Sequence, residues 1–414
     1  MAEAGPELRA PAPNRYLWLG IIIVGYIGIY LCRKNLSVAI PVLQKEFSAT
    51  RAEIGLIASY STIAYAIGKF FFGTVVDRIG GRLGFLGSML LVAIFCFAGG
   101  LAPNLALLTV CYSANRFVAA GAWPGMVKMV PSWFERRNLP FAIAWLSLSF
   151  VAGGACATMF AGMVAQASGN NWRAIMALPS AVLLLLFVMN AWLLPKDQST
   201  ASKPGTAQKS KPSAGFGELL RIRQFWVVCA LSFTLTLLRE TFNTWLVDFI
   251  RTEGGASVSN QVAAFLSTPF DVLGALGILA VGWIYGRIQP RARKWLLFAM
   301  LALLAVLIRV IPTLFSMGLG YVTVAIGLIG FLVYGPYSLL AGTLAVEIRG
   351  QERVGTVSGI IDGVGYAAGI LAGAQFGKIV DTAGYVRGFD LLAGLAVISA
   401  FLCFMLYPRS VAAR

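Results

Sequence analysis

Apolar stretches of about twenty residues follow one another along nearly the whole chain, with polar residues gathered in the short breaks between them. A run of that length, wound as α-helix at 1.5 Å per residue, crosses a hydrocarbon core of roughly 30 Å. Twelve such helices are predicted, near 16–42, 52–76, 83–102, 105–130, 140–166, 173–194, 224–250, 260–286, 294–315, 318–345, 355–378 and 387–407. No segment alternates with the period of two that a membrane barrel needs, so strands are not expected. Between the sixth and seventh helices the pattern breaks: Pro195 to Gly217 is rich in Ser, Lys, Pro, Gly and Ala, and reads as a flexible linker. The chain is therefore expected to be an all-α integral membrane protein. Its parts are an N-terminal segment (1–15), a six-helix bundle (16–194), a linker (195–223), a second six-helix bundle (224–407) and a tail (408–414).

The two bundles repeat each other in parallel. Gly73-Thr-Val-Val-Asp77-Arg78-Ile-Gly-Gly-Arg82 returns as Gly282-Trp-Ile-Tyr-Gly286-Arg287-Ile-Gln-Pro-Arg291, and Trp123-Pro124 is answered by Gly335-Pro336. Gly154, Gly162 and Gly169 are answered by Gly369, Gly377 and Gly384. Repeats of this kind are expected to rock against each other around a site at their interface.

Composition agrees with a membrane protein. Of 414 residues 58% are hydrophobic and 12% charged, against roughly 25% charged in soluble domains. The net charge of +16 does not point to nucleic acid, because the basic residues lie in every second loop and not on one soluble face. Arg9 and Arg15 precede the first helix; Arg78 with Arg82, Arg136 with Arg137, Lys196 to Arg223, Arg287 to Lys294, Arg349 with Arg353, and Arg409 to Arg414 fill the even loops and the tail. By the positive-inside rule both termini are cytoplasmic, in what is expected to be the inner membrane of a bacterium. Met1 to Asn14 is acidic and Pro-rich, unlike a signal peptide. The six cysteines stand singly in apolar runs and there is no histidine, so no metal or other cofactor is expected. Nothing satisfies the geometry of an enzyme site, neither a nucleophile with its base nor a phosphate-cradling loop.

Charges within the spans carry the candidate chemistry. The cations are Arg33, Lys34, Lys69, Arg116, Lys128, Arg239 and Arg309; the anions are Glu240, Asp248, Asp271 and Asp362. A charge at mid-membrane costs roughly 2.5–3.5 kcal/mol on insertion scales, so it persists where it faces a polar interior with something to bind. Arg33 in the first helix and Arg239 in the seventh sit at matching depths of the two repeats. Together they suggest an anion site at the midplane, since a guanidinium donates two parallel hydrogen bonds to phosphate or carboxylate. Lys34 points about 100° away from Arg33 around the helix. Lys69 and Lys128, near helix ends, are either site residues or cations reaching for the surface, and Arg116 and Arg309 are either site residues or ties between helices. Tyr26 and Tyr30 share a helix face, and with Tyr65 they carry hydroxyls at cavity depth. Asp271 and Asp362 either bind protons or partner the arginines, and with Glu240 and Arg116 they are the coupling or charge-balance candidates. Asp77, Arg78 and Arg82 are expected to form a cytoplasmic latch.

The Gly73–Arg82 segment resembles the signature of the major facilitator superfamily. Tyr30-Leu-Cys-Arg33-Lys34-Asn35, Ala64-Tyr65-Ala-Ile-Gly-Lys69-Phe70, Trp123-Pro124 with Lys128 and Trp133-Phe134, Leu238-Arg239, and Phe331-Leu-Val-Tyr334-Gly335-Pro336 together resemble the organophosphate:phosphate antiporters within it, the glycerol-3-phosphate and hexose-phosphate carriers. The resemblance implies that Arg33 and Arg239 are paired phosphate ligands, that Lys69 joins them in one state, and that Tyr26, Tyr30 and Tyr65 line the cavity. Asp271 falls where the glycerol-3-phosphate carriers place a glutamate. Where those carriers have a binding histidine in the fifth helix, Ser149 or Phe150 stands here, and Glu240 and Asp362 are additional acids.

Exchange of an organic phosphate for inorganic phosphate by alternating access is thus the expected function, with membrane lipid as the only other partner and a monomer as the unit. The alternative is a proton-coupled symporter of carboxylates. Asn35-Leu-Ser-Val-Ala-Ile-Pro41 resembles the anion:cation symporter branch, and Arg116-Phe ahead of Gly121 is similar to an arginine motif of proton-coupled carriers. A membrane sensor on a carrier scaffold is a third class, for which the linker and termini offer no signalling domain.

Overall fold

The computed structural model describes residues 13–134, 138–195, 221–255, 258–340, 344 and 354–406, apart from the side chains of 73, 74, 77, 139–141, 143, 144, 147 and 354–359. Most of segment 1–15 and of the linker 195–223, and all of the chain after 406, therefore lie outside the described residues.

Eleven helices among the described residues are long and apolar enough to cross a membrane. The first bundle contains α1 (Arg15–Phe47), α2 (Arg51–Ile79), α3 (Gly81–Gly100), α4 (Leu105–Ala119) continued by α5 (Ala122–Met129), α6 (Leu139–Ala167) and α7 (Trp172–Leu193). The second contains α8 (Arg223–Glu253), α9 (Asn260–Ser267) leading into α10 (Pro269–Arg287), α11 (Pro290–Val310), α12 (Leu319–Leu339), α13 (Val354–Ile370) and α14 (Phe376–Leu402). One difference from the predicted twelve is that Ile360–Met405 runs as a single helical stretch of 46 residues. At about 20 residues per crossing that is two spans. The chain reverses at Gly384, whose φ of 78° is left-handed and open to glycine, so no capped break interrupts the helical pattern.

Local sequence explains the helix starts. Thr50 opens α2 with a capping box: its hydroxyl accepts from the Glu53 N–H at 3.2 Å while the Glu53 carboxylate accepts from the Thr50 N–H at 2.9 Å. Asn104 and Ser259 cap α4 and α9 with their side chains alone, accepting from the N–H groups of Leu107 and Val262. The turn between α2 and α3 is a single residue, Gly80, at φ 95°.

Packing repeats as the sequence does. In each half the first span packs on the fifth (α1 on α6, α8 on α13), the second on the fourth (α2 on α4, α10 on α12) and the third on the sixth (α3 on α7, α11 on α14). Between halves, α1 meets α8, α6 meets α9 and α10, and α2 meets α13, the π-helical turn Leu371–Gln375 and α14. Towards the end of the molecule where Ser48 joins α1 to α2, one apolar core runs through both halves, bringing Val38, Ile40 and Ile54 into the same cluster as Phe242, Leu246 and Ala264. Nearer the linker the first half has a core of its own, built on Ile22, Phe85, Met126 and Leu183.

The seam at the Ser48 end is tight. Gly55 and Gly373 cross so closely that a Cβ on Gly55 would lie 2.6 Å from the Gly373 carbonyl carbon. Arg51 Nε meets Asp248 Oδ2 at 2.7 Å, its Nη2 donates to Thr252 at 3.0 Å, and Tyr385 donates to the same Asp248 oxygen. Asp381 of the second half accepts the backbone N–H groups of Arg51 and Ala52 at 3.1 and 2.9 Å, so it caps α2 of the first half.

Candidate functional site

Between the halves, at mid-depth, lies a cavity of about 110 Å³, several times the roughly 10–15 Å³ that one water needs. From the first half α1 supplies Tyr30, Arg33 and Lys34, α2 Thr62 and Tyr65, α4 Tyr112 and Arg116, and α6 Phe150. The second half contributes Arg239, Glu240 and Asn243 from α8, Asp271 from α10, Tyr334 from α12 and Tyr366 from α13.

Arg33 is the least satisfied of these groups. It is 7% exposed, its Nε and Nη1 make no hydrogen bond, and no carboxylate among the described residues pairs with it. What it does have is aromatic: its Cζ lies 4.8 Å from the centre of the Tyr30 ring and 4.5 Å from that of Tyr65. Tyr65 also hydrogen-bonds the guanidinium, and stacking on the ring faces leaves Nε and Nη1 without a partner. The α1 backbone there is anchored by Tyr112, whose hydroxyl donates to the Arg33 carbonyl. Arg116 also lies over Tyr65, at 4.9 Å, with its Nε unpartnered.

Arg239, its counterpart, is placed differently. Its Nη2 donates to Glu240 Oε1 at 2.7 Å and its Cζ lies 4.2 Å from the Tyr337 ring centre, while Nε has no partner. Lys34 does line the cavity: its Nζ is 2.5 Å from Asp271 Oδ2, bridging the halves. Tyr334 donates to the other Asp271 oxygen at 3.1 Å. Of the alternatives left open for Asp271, the structure shows a partner of a cation, and that cation is Lys34, not an arginine. Gly154 of α6 permits the crossing, since a Cβ there would stand 2.9 Å from the Asp271 carboxyl carbon. Lys69 borders the cavity beyond Tyr366, 4.6 Å from that ring centre and 3.5 Å from Asp362 Oδ2.

Tyr26, expected to line the cavity, and Lys128, a candidate for it, stand elsewhere. Tyr26 is buried behind Tyr30, with ring centres 5.4 Å apart, and packs on Trp123 at 5.9 Å. Lys128 donates to the Val76 carbonyl at 2.9 Å, near the end of α2. In the expected latch, Arg78 is exposed and Arg82 donates to the Ala191 carbonyl at 2.6 Å within its own half; the Asp77 side chain is outside the described residues. Arg309 ties helices, with Nε 2.8 Å from Asp390. At the position of the carriers' histidine, Phe150 faces the cavity, while the buried Ser149 hydroxyl donates to the Leu146 carbonyl.

Sequence reasoning left out Asn243, Tyr112 and Tyr366 as site residues. A signal was present: Asn243 follows Arg239, and Tyr366 follows Asp362, by four residues, and Tyr112 precedes Arg116 by four. That spacing puts each on the face of a residue already singled out for its charge.

The sequence pattern of the Major Facilitator Superfamily matches residues 22–374, from α1 through the last helix that lines the cavity. The chain belongs to that superfamily. Within it, the chain is 25% identical to the "Probable hexose phosphate transport protein" of Chlamydia pneumoniae, over 92% of this chain and 88% of that one. It is 27% identical to the glycerol-3-phosphate transporter of Bacillus subtilis, over 91% and 89%. Among solved structures, an inward-facing, occupied bacterial homologue of the human lysosomal transporter Spinster superposes with a TM-score of 0.80 at 15% identity, covering 96% of this chain and 97% of that one. The superfamily member described here is a membrane transporter and not an enzyme.

Proposed function

We propose that the protein exchanges an organic phosphate anion for inorganic phosphate by alternating access, as a monomer in a bacterial inner membrane with both termini in the cytoplasm. The observation that carries this reading is Arg33: a buried guanidinium with free donors, facing a cavity that Arg239 of the other half also lines. A charge is kept unpaired in a low-dielectric interior only where a ligand supplies the missing partner. Arg33, Lys34, Arg116 and Arg239 face Glu240 and Asp271 across the cavity, which leaves two positive charges uncompensated. A phosphate monoester carries about −1.5 to −2 at neutral pH and presents oxygens suited to a guanidinium fork. The organophosphate carriers among the relatives support the same choice.

The layout supports alternating access. The halves meet firmly at the Ser48 end, whereas at mid-depth they surround a cavity across which Lys34 meets Asp271 and Tyr65 meets Tyr366, so an anion gripped by Arg33 and Arg239 adds to the contacts between them. With the termini in the cytoplasm, the seam at the Ser48 end faces outward. Proton-coupled symport finds less support, because both oxygens of Asp271 are already taken by Lys34 and Tyr334.

The test is counterflow. Purified protein in vesicles loaded with inorganic phosphate is expected to take up labelled phosphate, with competition by glycerol 3-phosphate or a hexose phosphate and no effect of a protonophore. Vesicles that exchange no phosphate, or uptake that collapses with the protonophore, would overturn the proposal.

A further inference from the structure

We infer that Glu240 is a resident counter-anion, which occupies Arg239 while the cavity is empty and is displaced when the substrate's phosphoryl group arrives. The inference rests on the organophosphate reading above and assigns Glu240 as a positioning residue acting through Arg239.

The two arginines are held differently. Arg33 has no carboxylate partner, whereas Arg239 is held by a carboxylate at 2.7 Å. Glu240 is the next residue in the same helix, and consecutive helical side chains diverge by about 100°. Helix geometry therefore does not impose their contact. Two flexible side chains, 11% and 15% exposed, bend towards each other within the wall of the cavity. The bond uses Nη2, and Nε stays without a partner. A phosphoryl group approaching from the cavity can offer two oxygens to the same fork, the geometry in which a guanidinium binds most strongly. Tyr337, 4.2 Å below the guanidinium, supports it without competing for donors.

The freed carboxylate has somewhere to go. Arg116 lines the same cavity, and its Nε has no hydrogen-bond partner. Binding is then an exchange of one anion for another on Arg239, and neither charge is stranded in the low-dielectric interior at any stage. The same arrangement recurs more loosely at the rim, where Asp362 of the second half stands 3.5 Å from Lys69. Such a counter-anion lowers affinity for the ligand and hastens its release, because Glu240 returns as the phosphate leaves.

Calorimetric titration of inorganic phosphate into the purified full chain separates the outcomes. Glu240→Gln is expected to bind phosphate about tenfold more tightly than wild type, the equivalent of one charge-assisted contact no longer broken on binding, while its turnover in phosphate exchange falls. Glu240→Asp keeps the charge but is one methylene short of Arg239, and it too should bind more tightly. Unchanged or weaker binding by Glu240→Gln would overturn the inference. So would an aspartate variant matching wild type while the glutamine variant gains, since a bulk field effect would then suffice. If wild type itself binds no phosphate, it is the organophosphate reading that fails.

Discussion

The halves of this transporter meet in two places built on opposite principles. At the Ser48 end the contact is close and complete: Gly55 against Gly373, Arg51 bonded to Asp248 and Thr252, Asp381 capping α2. At mid-depth it is sparse, with a guanidinium short of partners, acids parked on cations, and about 110 Å³ left unfilled. Buried polar groups are nearly always satisfied where a structure has only to be stable. The incomplete region is therefore the one built for something that comes and goes, and the complete one is a seam to hold the closed end.

Substitutions can break that contrast or sharpen it. The largest effect is expected at Arg33. Arg33→Lys keeps the charge but loses the planar fork, and phosphate exchange should fall about a hundredfold, equivalent to one or two charge-assisted hydrogen bonds. The thermal midpoint of the unliganded protein should barely move, because Arg33 has few bonds to lose; a large drop would mean that it is a structural tie. Next in size is the seam. Gly373→Val forces atoms against the Gly55 carbonyl oxygen, only 2.3 Å from where its Cβ would sit. Overpacking of this kind costs about 1–3 kcal/mol, so the thermal midpoint should fall and exchange should slow roughly tenfold in consequence, while phosphate affinity stays near that of wild type. Weakened affinity instead would show that the two regions are not independent. The smallest effect is expected from Lys128→Met, which removes a cation that lies outside the cavity and donates to the Val76 carbonyl. Exchange should change less than about twofold, because Lys128 is not among the residues that line the cavity and a contact to a neutral acceptor is worth little. A loss comparable to that of Arg33→Lys would return Lys128 to the binding site.

Much of this was legible in the sequence, for a physical reason. A bilayer requires every backbone group to be satisfied within its own helix, so spans announce themselves by length and apolarity alone. The same intolerance makes a buried Arg33 or Arg239 conspicuous. What could not be read was how faces meet. Lys34 was set aside because it points away from Arg33, yet the direction it points is where Asp271 arrives, 237 positions along the chain. Tyr26 and Tyr30 share a helix face by spacing, but only one layer of side chains can border a cavity, and Tyr30 takes it. The bond between Arg239 and Glu240 runs against the rule that sequence neighbours on a helix diverge, so no pattern reveals it. Lys128 stayed open for a related reason: position along a helix gives depth, while only the packing of α5 against α2 gives direction.

The central claim is that Arg33 and Arg239, one from each half, grip a single anionic group. The most direct measurement is an experimental structure of the protein with inorganic phosphate. The account predicts the phosphate in the mid-depth cavity, with oxygens about 2.7–2.9 Å from nitrogens of both guanidiniums, and Glu240 no longer bonded to Arg239. Phosphate bound away from either arginine, or a cavity left empty at saturating phosphate, would contradict it.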